Sequence, residues 1–367
     1  MHVVLSSPSI DVCTAQRTCR CNAVWTGTCS ACQMLDVRPA RPSWGLCVSN
    51  TTAWDGAVLY CFTTQWRMLA SEMVDGCGMG SWERNSQIIL ASAANATASY
   101  RREQVLFGPW AHEPAIARAP TGEWVAWFSY RFPSAGRSEA DPRCTNCTGG
   151  STGIHSCPGQ PWTSYDRDPT AMSWSASPLG PWTEPVRVSV AMPGIDTNLA
   201  AVIKSDGSVV GLWRERSKQP LPLGHHSTPH VLTATDWKDP STYTWHPHPA
   251  FAPDNLRGAV EDPFVWTDVR GHLHALFHMQ YGCTNCGGHA FSRDGLGWNW
   301  TGIAYTANTH FDDGSNVTFR NCERPHLVFD RDGVTPVALT NGVTVEESDR
   351  AFTLLRPLAR TVAAVRR

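Results

Sequence analysis

One short pattern recurs four times along the 367 residues at roughly 60- to 80-residue spacing, and no other feature constrains the fold as strongly. A polar or acidic group leads into an apolar strand, a Gly turn follows, and a second apolar strand runs back. The copies start at His112-Glu113-Pro114-Ala115, Asp196-Thr197-Asn198-Leu199, Glu261-Asp262-Pro263-Phe264 and Glu323-Arg324-Pro325-His326. Their turns are Thr121-Gly122, Asp206-Gly207, Arg270-Gly271 and Asp332-Gly333, and a weaker copy opens at Trp54-Asp55-Gly56-Ala57. A short-strand unit repeated at this period predicts an all-β protein, a β-propeller of about five blades. Inner strands of a propeller begin beside a central cavity, so an acid repeated at that point gathers carboxylates into one pocket.

Composition agrees. Charged residues make up only 17%, and 29 Gly with 26 Pro suit many short strands joined by tight turns. Third strands are expected at Ala171–Ser175, Val231–Ala234 and His289–Ser292, and a late strand of the last blade at Phe352–Leu355. The 17 Trp are read mainly as propeller core, with the remainder as stacking surfaces for sugar rings. A net charge of -2 gives no basic field for nucleic acid or an acidic membrane, and no stretch approaches the 18 apolar residues of a membrane span.

Fourteen Cys fit an oxidising compartment, and five N-x-Ser/Thr sequons, at Asn50, Asn95, Asn146, Asn299 and Asn316, point the same way. A secreted or extracellular glycoprotein is therefore expected. The opening Met1–Leu5 lacks a signal peptide's basic and apolar regions, so the expectation is a chain cut from a longer precursor or a start placed too late. Residues 1–34 crowd Cys13, Cys19, Cys21, Cys29 and Cys32 around a Trp25-Thr26-Gly27 turn, which resembles the C-terminal half of an EGF-like module. A Pro-bearing linker, residues 35–49, would then lead into a propeller over 50–367. The pairs Cys144–Cys147 and Cys283–Cys286 are read as loop-clamping disulfides in preference to a four-thiolate zinc site. Long segments at Pro133–Pro169 and Ser217–Pro229 are candidate functional loops.

The turn Ser177-Pro178-Leu179-Gly180-Pro181-Trp182, the motif Glu261-Asp262-Pro263-Phe264-Val265-Trp266, and Ser292-Arg293-Asp294-Gly295 before Trp298 resemble the five-bladed β-propeller glycosidases. That superfamily contains glycoside hydrolase family 43 and the invertases, and the likeness spans roughly residues 50–360. More narrowly, Cys77–Ser86 and Glu323-Arg324-Pro325-His326 resemble a eukaryotic group in which an EGF-like module precedes such a propeller. The resemblance implies a secreted glycosidase working through paired carboxylates on a polysaccharide or oligosaccharide, as a monomer and with no cofactor. The alternative is a non-catalytic extracellular carbohydrate-binding or adhesion propeller.

In family 43 a base Asp, a second Asp and an acid Glu open successive blades. Here Asp55 stands first, Glu113 replaces the second Asp, Asp196 occupies the Glu position, and a Glu comes only at Glu261. The acid is expected at Glu261 and the base or nucleophile at Asp196, with Asp55 as the alternative; Glu113, Asp262 and Glu323 complete the cluster. His112, Arg324, Trp54 and Arg214 are candidates for substrate contact. Each also has a plainer reading, since an acid before Pro often only shapes a turn and Arg214-Glu215-Arg216 reads as a solvated charge run. No metal ligand set is legible, and a family-like calcium near the central His has no donor cluster to support it.

Overall fold

The computed structural model describes residues 10–359 apart from 14–18, 22–24, 27–33, 49–50, 62–64, 133–143, 145–169, 189–197, 217–226, 252–259, 280–285 and 345–348. Five four-stranded antiparallel sheets follow one another along the chain. Blade I comprises Thr52–Cys61, Gln65–Met73, Ser86–Ala93 and Arg101–Phe107. Blade II comprises Ala111–Arg118, Trp124–Tyr130, Thr170–Ser175 and Val186–Arg187; blade III comprises Leu199–Ile203, Val209–Arg216, Ser227–Ala234 and Thr244–Pro249. Blade IV comprises Val260–Thr267, Leu273–Met279, Cys286–Ser292 and Trp298–Thr306. Blade V holds Asn321–Phe329, Pro336–Thr344 and Ala351–Pro357, and its outermost strand is Gly45–Leu46.

The first strand of each blade touches the first strand of the next all the way round, including V against I. The result is the five-bladed ring that the repeat predicts. Strands such as Ser86–Ala93 and Leu273–Met279 are buried along their whole length, as a surface packed on both faces requires. The turn glycines Gly122, Gly207, Gly271 and Gly333 all take positive φ, between 72° and 103°, which an L side chain adopts only at a cost. Asp206, Asp268 and Asp332 complete their turns by accepting backbone N–H groups two or three residues on.

Five apolar clusters fill the five joints between blades. Trp66, Trp127, Trp213, Trp237 and Trp298 lie buried in them, so these indoles are core. Among the described residues, helix is confined to short turns such as Trp82–Asn85, and no helix is long and apolar enough to cross a membrane.

The segment read as a linker belongs to the ring. Gly45–Leu46 pairs with Ala351–Pro357 through Leu46↔Thr353 and Gly45↔Leu354, so the start of the propeller chain is stitched to its last blade. Leu35, Ala40 and Leu46 are buried, and Val37 and Ala40 make bridges to Leu358 and Phe311. Pro39 and Pro42 lack N–H donors, but an edge segment that pairs at only a few points does not need them. Ahead of it lie two short antiparallel ladders, Ile10–Cys13 with Cys19–Cys21 and Trp25–Thr26 with Met34–Leu35.

Candidate functional site

Among the described residues, four inner strands share one irregularity. Pairing with the second strand slips between Trp54 and Ala57, His112 and Ala115, Glu261 and Phe264, and Glu323 and His326. In each slip the second residue is left-handed: Asp55 at φ 73°, Glu113 at 59°, Asp262 at 56° and Arg324 at 53°. These are β-bulges, and in three of them Pro114, Pro263 or Pro325 follows, a residue with no N–H for the broken ladder to strand. A non-glycine left-handed residue costs about 1–2 kcal/mol, and such strain persists where the surroundings over-determine it.

The surroundings here are electrostatic. Arg324 reaches three of its bulge counterparts: NH2 lies 3.1 Å from Asp55 Oδ2, and NH1 lies 3.3 Å from Asp262 Oδ1 and 3.6 Å from Glu113 Oε2. Its backbone N–H also donates to Asp262 Oδ2 at 3.3 Å. Side chains from blades I, II, IV and V thus converge on one guanidinium at the ring axis. Asp55 is fully buried and takes three further groups: His326 Nε2 at 2.9 Å, the Gly56 N–H at 2.7 Å, and, on its carbonyl, the Thr353 hydroxyl. In blade III, Asn198 donates its amide to Asp262 Oδ1.

In blades II, IV and V the residue preceding the bulge centre forms a second tier. Glu261 pairs with Arg214 and stands 3.3 Å from His278 Nδ1, whose other nitrogen is 3.9 Å from Glu323 Oε1. His112 receives Ser86 Oγ at 2.7 Å on Nδ1, stacks on Trp82 with ring centres 4.9 Å apart, and approaches Glu113 Oε1 at 3.5 Å. The Ser71 hydroxyl holds the Glu113 N–H at 2.9 Å. The side chains of Glu113 and Glu323 keep 14% and 20% of their surface exposed, which makes them the carboxylates open to solvent.

Proton affinities split within this cluster. Burial pushes Asp55 up, but Arg324 and His326 together outweigh it and hold the carboxyl below its ordinary value. Burial also acts on Glu113, where Arg324 and His112 prevail and bring it down to about 2. Asp262 goes the other way, to about 6: burial outweighs Arg324, and repulsion from Glu113 and Glu323 adds to it. Arg324 stays protonated, because its three carboxylates overcome the burial that opposes its charge.

The sequence expectations divide accordingly. Asp55, Glu113, Glu261, Asp262, Glu323, His112, Arg324 and Arg214 meet around the axis; Asp196 lies outside the described residues. Arg214 is an ion-pair partner inside the site and no part of a solvated run. Trp54 is only 2% exposed, and its ring lies against Gly342, whose added Cβ would sit 2.6 Å from it, so the indole packs against blade V and offers no face to a sugar. Sequence reasoning did not single out His278, Asn198 or Ser86. Counting outward from the Arg270-Gly271 turn sets Glu261 opposite Met279; the bulge shifts the register by one and brings His278 there.

The same geometry supplies a donor set that the sequence did not reveal. Glu261, Asp262, His278 and Glu323 each place one ligand atom within 4.8 Å of the others. Both ring nitrogens of His278 are buried without a hydrogen bond. Three carboxylates around an imidazole whose nitrogens make no hydrogen bond fit a divalent cation.

No protein-family model and no curated protein matches the sequence. Solved structures match across most of the chain. A thermostable family-43 glycoside hydrolase is 14% identical, with 88% of this chain and 92% of that one covered at a TM-score of 0.55. Zg3597, a family 117 glycoside hydrolase produced by the marine bacterium Zobellia galactanivorans, is 10% identical, with 89% of both chains covered at 0.56. A xylan β-1,4-xylosidase from Bacillus halodurans C-125 is 9% identical, with 87% of this chain and 54% of that one covered at 0.57. At these identities the likeness establishes a shared fold.

Proposed function

We propose that the chain is a propeller glycosidase working through paired carboxylates at the ring axis. One observation carries the reading: Glu113 and Asp262, from different blades, flank a single guanidinium nitrogen and have proton affinities of about 2 and about 6. Two oxygens that share one nitrogen at 3.6 and 3.3 Å lie no more than about 7 Å apart. A protonated carboxyl beside an ionised one is what glycosidic cleavage asks for, one to protonate the leaving oxygen and one to activate water or attack the anomeric carbon. Asp262 takes the acid role that the sequence suggested for Glu261, because Glu261 is committed to Arg214. Glu113 takes the base or nucleophile role, since its carboxylate is ionised and reaches solvent, while Asp55 is sealed and anchors Arg324.

The fold shared with family-43 and family-117 hydrolases supports the reading, with a carbohydrate as substrate. The exposed sequon residues Asn95, Asn299 and Asn316 support a secreted glycoprotein.

The test is a hydrolysis panel of aryl glycosides and plant, algal and microbial polysaccharides on the purified chain. The wild type should release sugar, while Asp262→Asn and Glu113→Gln should each lose about 10²–10⁴-fold. Absence of hydrolysis with retained sugar binding would replace this reading with that of a binding propeller.

A further inference from the structure

Two asparagine amides in blade V close on one residue, Glu323. Asn321 opens the inner strand two residues before it, and Asn341 lies on the second strand beside Gly342, the register partner of Glu323. Asn321 Nδ2 donates to Glu323 Oε1, and Asn341 Nδ2 donates to the Glu323 carbonyl oxygen at 3.2 Å. A carboxylate and a carbonyl can only accept, so each amide must turn its N–H groups to Glu323 and its own oxygen away. Both oxygens find donors: the Thr344 hydroxyl reaches Asn321 Oδ1 at 2.8 Å, and Arg356 NH2 reaches Asn341 Oδ1 at 2.6 Å. Thr344 and Arg356 are buried, and Thr344 stands directly opposite Asn321 in the ladder. Each amide is therefore fixed from behind.

This clamp holds one oxygen and leaves the other open. Glu323 Oε1 carries the Asn321 hydrogen bond and is the oxygen 3.9 Å from His278 Nε2. Among the described residues Oε2 accepts no hydrogen bond, and the side chain keeps 20% of its surface exposed. The other axial acids have their charge answered by arginine: Asp55, Glu113 and Asp262 by Arg324, and Glu261 by Arg214. Glu323 pairs with no arginine or lysine among the described residues. A carboxylate whose direction is fixed by neutral amides, and whose second oxygen meets solvent, has acceptor capacity that no protein group uses. Glu323 and Asp262 each place a carboxylate oxygen within 4.8 Å of the other, so a group bound to Glu323 lies beside the bond that Asp262 protonates.

We propose that Glu323 Oε2 accepts the ring hydroxyl next to the carbon at which the glycosidic bond is cut, with Asn321 and Thr344 as the positioning residues that aim it. The inference rests on the glycosidase reading and narrows its substrate class to sugars that leave this hydroxyl free. Deoxygenation removes the donor. Sulfation removes it and sets a like charge against the carboxylate, and acylation replaces it with bulk. A hydrogen bond to that hydroxyl strengthens as the neighbouring carbon gains positive charge, so the contact favours the transition state over the bound substrate. The aim of the acceptor matters for the same reason, since a carboxylate free to swing has first to be ordered by the sugar.

The experiment measures kcat/KM on the purified full chain for the best-cleaved aryl glycoside and for its counterpart lacking the hydroxyl next to the anomeric carbon. Losing that hydroxyl should cost the wild type about 10- to 100-fold, the range for a hydrogen bond to a charged group. In Glu323→Ala, a change at a partly exposed side chain, the penalty should shrink to about twofold or less. Asn321→Ala and Thr344→Val should shrink it by about three- to tenfold, and Thr344→Ser, which keeps the hydroxyl, should restore it. If Glu323 serves only the axial donor set, or Asn321 only packing, each variant slows both substrates equally, and that result overturns the assignment. Should no glycoside be cleaved, calorimetric binding of the same two compounds replaces the rates. A Glu323-dependent preference for the hydroxylated compound then keeps the assignment while the glycosidase reading falls. Absence of both cleavage and binding overturns the two together.

Discussion

Blade III differs from the other four in a way that explains how the axial site is held. Blades I, II, IV and V reach the axis through a bulge whose left-handed centre is ionisable. Blade III pairs without interruption from Leu199↔Trp213 to Ile203↔Val209, and the residue ahead of it, Asn198, is neutral. Among the described residues, strain in the inner strands is present where a charge is aimed at the axis. Three carboxylates and one guanidinium make each strained backbone mutually dependent, since removing any of them leaves the rest with a buried imbalance. Asn198 lends a hydrogen bond without adding to the charge.

The largest effect should come from breaking the hub. Arg324→Met leaves Asp55, Glu113 and Asp262 buried together without their cation, and breaking a buried ion pair from one side costs about 3–5 kcal/mol. Thermal unfolding at neutral pH should show that loss, with partial recovery as pH falls from 7 towards about 4 and the buried carboxyls take up protons. Equal destabilisation at pH 7 and pH 4 would show that the arginine acts by packing alone.

Next in size is the protonation of Asp262. With its affinity near 6, kcat/KM should fall above about pH 6 as the acid loses its proton, and Asp262→Asn should remove that limb along with most activity. The sign for stability is opposite to that of Glu113. A carboxyl raised in the folded state binds protons more tightly there than when unfolded, so the Asp262 contribution declines as pH rises from about 4 to about 6. Glu113, lowered to about 2, contributes stability above about pH 4.5 and loses it as pH falls towards 2. Stability measured from pH 2 to 7 should carry both slopes, and the upper one should vanish in Asp262→Asn.

The scaffold was far more legible in the sequence than the site. Strand, Gly turn and strand are local, so their recurrence gave the blades, and even Phe352–Leu355 could be assigned to the last one. Closure by Gly45–Leu46 was not legible, because a two-residue strand has no pattern of its own and is defined by a partner some 300 residues away. The bulges set what the sequence could not show. Each turns its second residue to the axis, so Asp262 and not Glu261 meets Arg324, and each shifts the register by one, which concealed His278. Glu113, Arg324 and Glu323 were identifiable as cluster members, whereas the split between about 2 and about 6 arises from burial and neighbours in other blades.

A smaller change would make blade III resemble the others in charge. Asn198→Asp exchanges an amide donor for a carboxylate against Asp262, removing a hydrogen bond and adding repulsion. Both changes favour the protonated form of Asp262, so the upper limb of kcat/KM should move to higher pH by about one unit, equivalent to about 1.4 kcal/mol. An unmoved limb would mean that another group sets it.

The smallest expected effect lies one contact further from the axis, at the bulge of blade II. Ser86 Oγ meets His112 Nδ1 at 2.7 Å, while Trp82 stacks on the same ring and His112 Nε2 approaches Glu113. Ser86→Ala removes a single hydrogen bond in a buried place, worth about 0.5–1.5 kcal/mol, and leaves the stacking to hold the ring roughly in position. If His112 serves only to fill the joint, unfolding should register that loss and kinetics should not change. If His112 orients Glu113, KM should stay within about twofold while kcat drops by several-fold, because a slightly turned carboxylate still admits substrate but meets the reacting carbon less well. Ser86→Thr, which keeps the hydroxyl, should restore kcat in the second case and make no difference to it in the first.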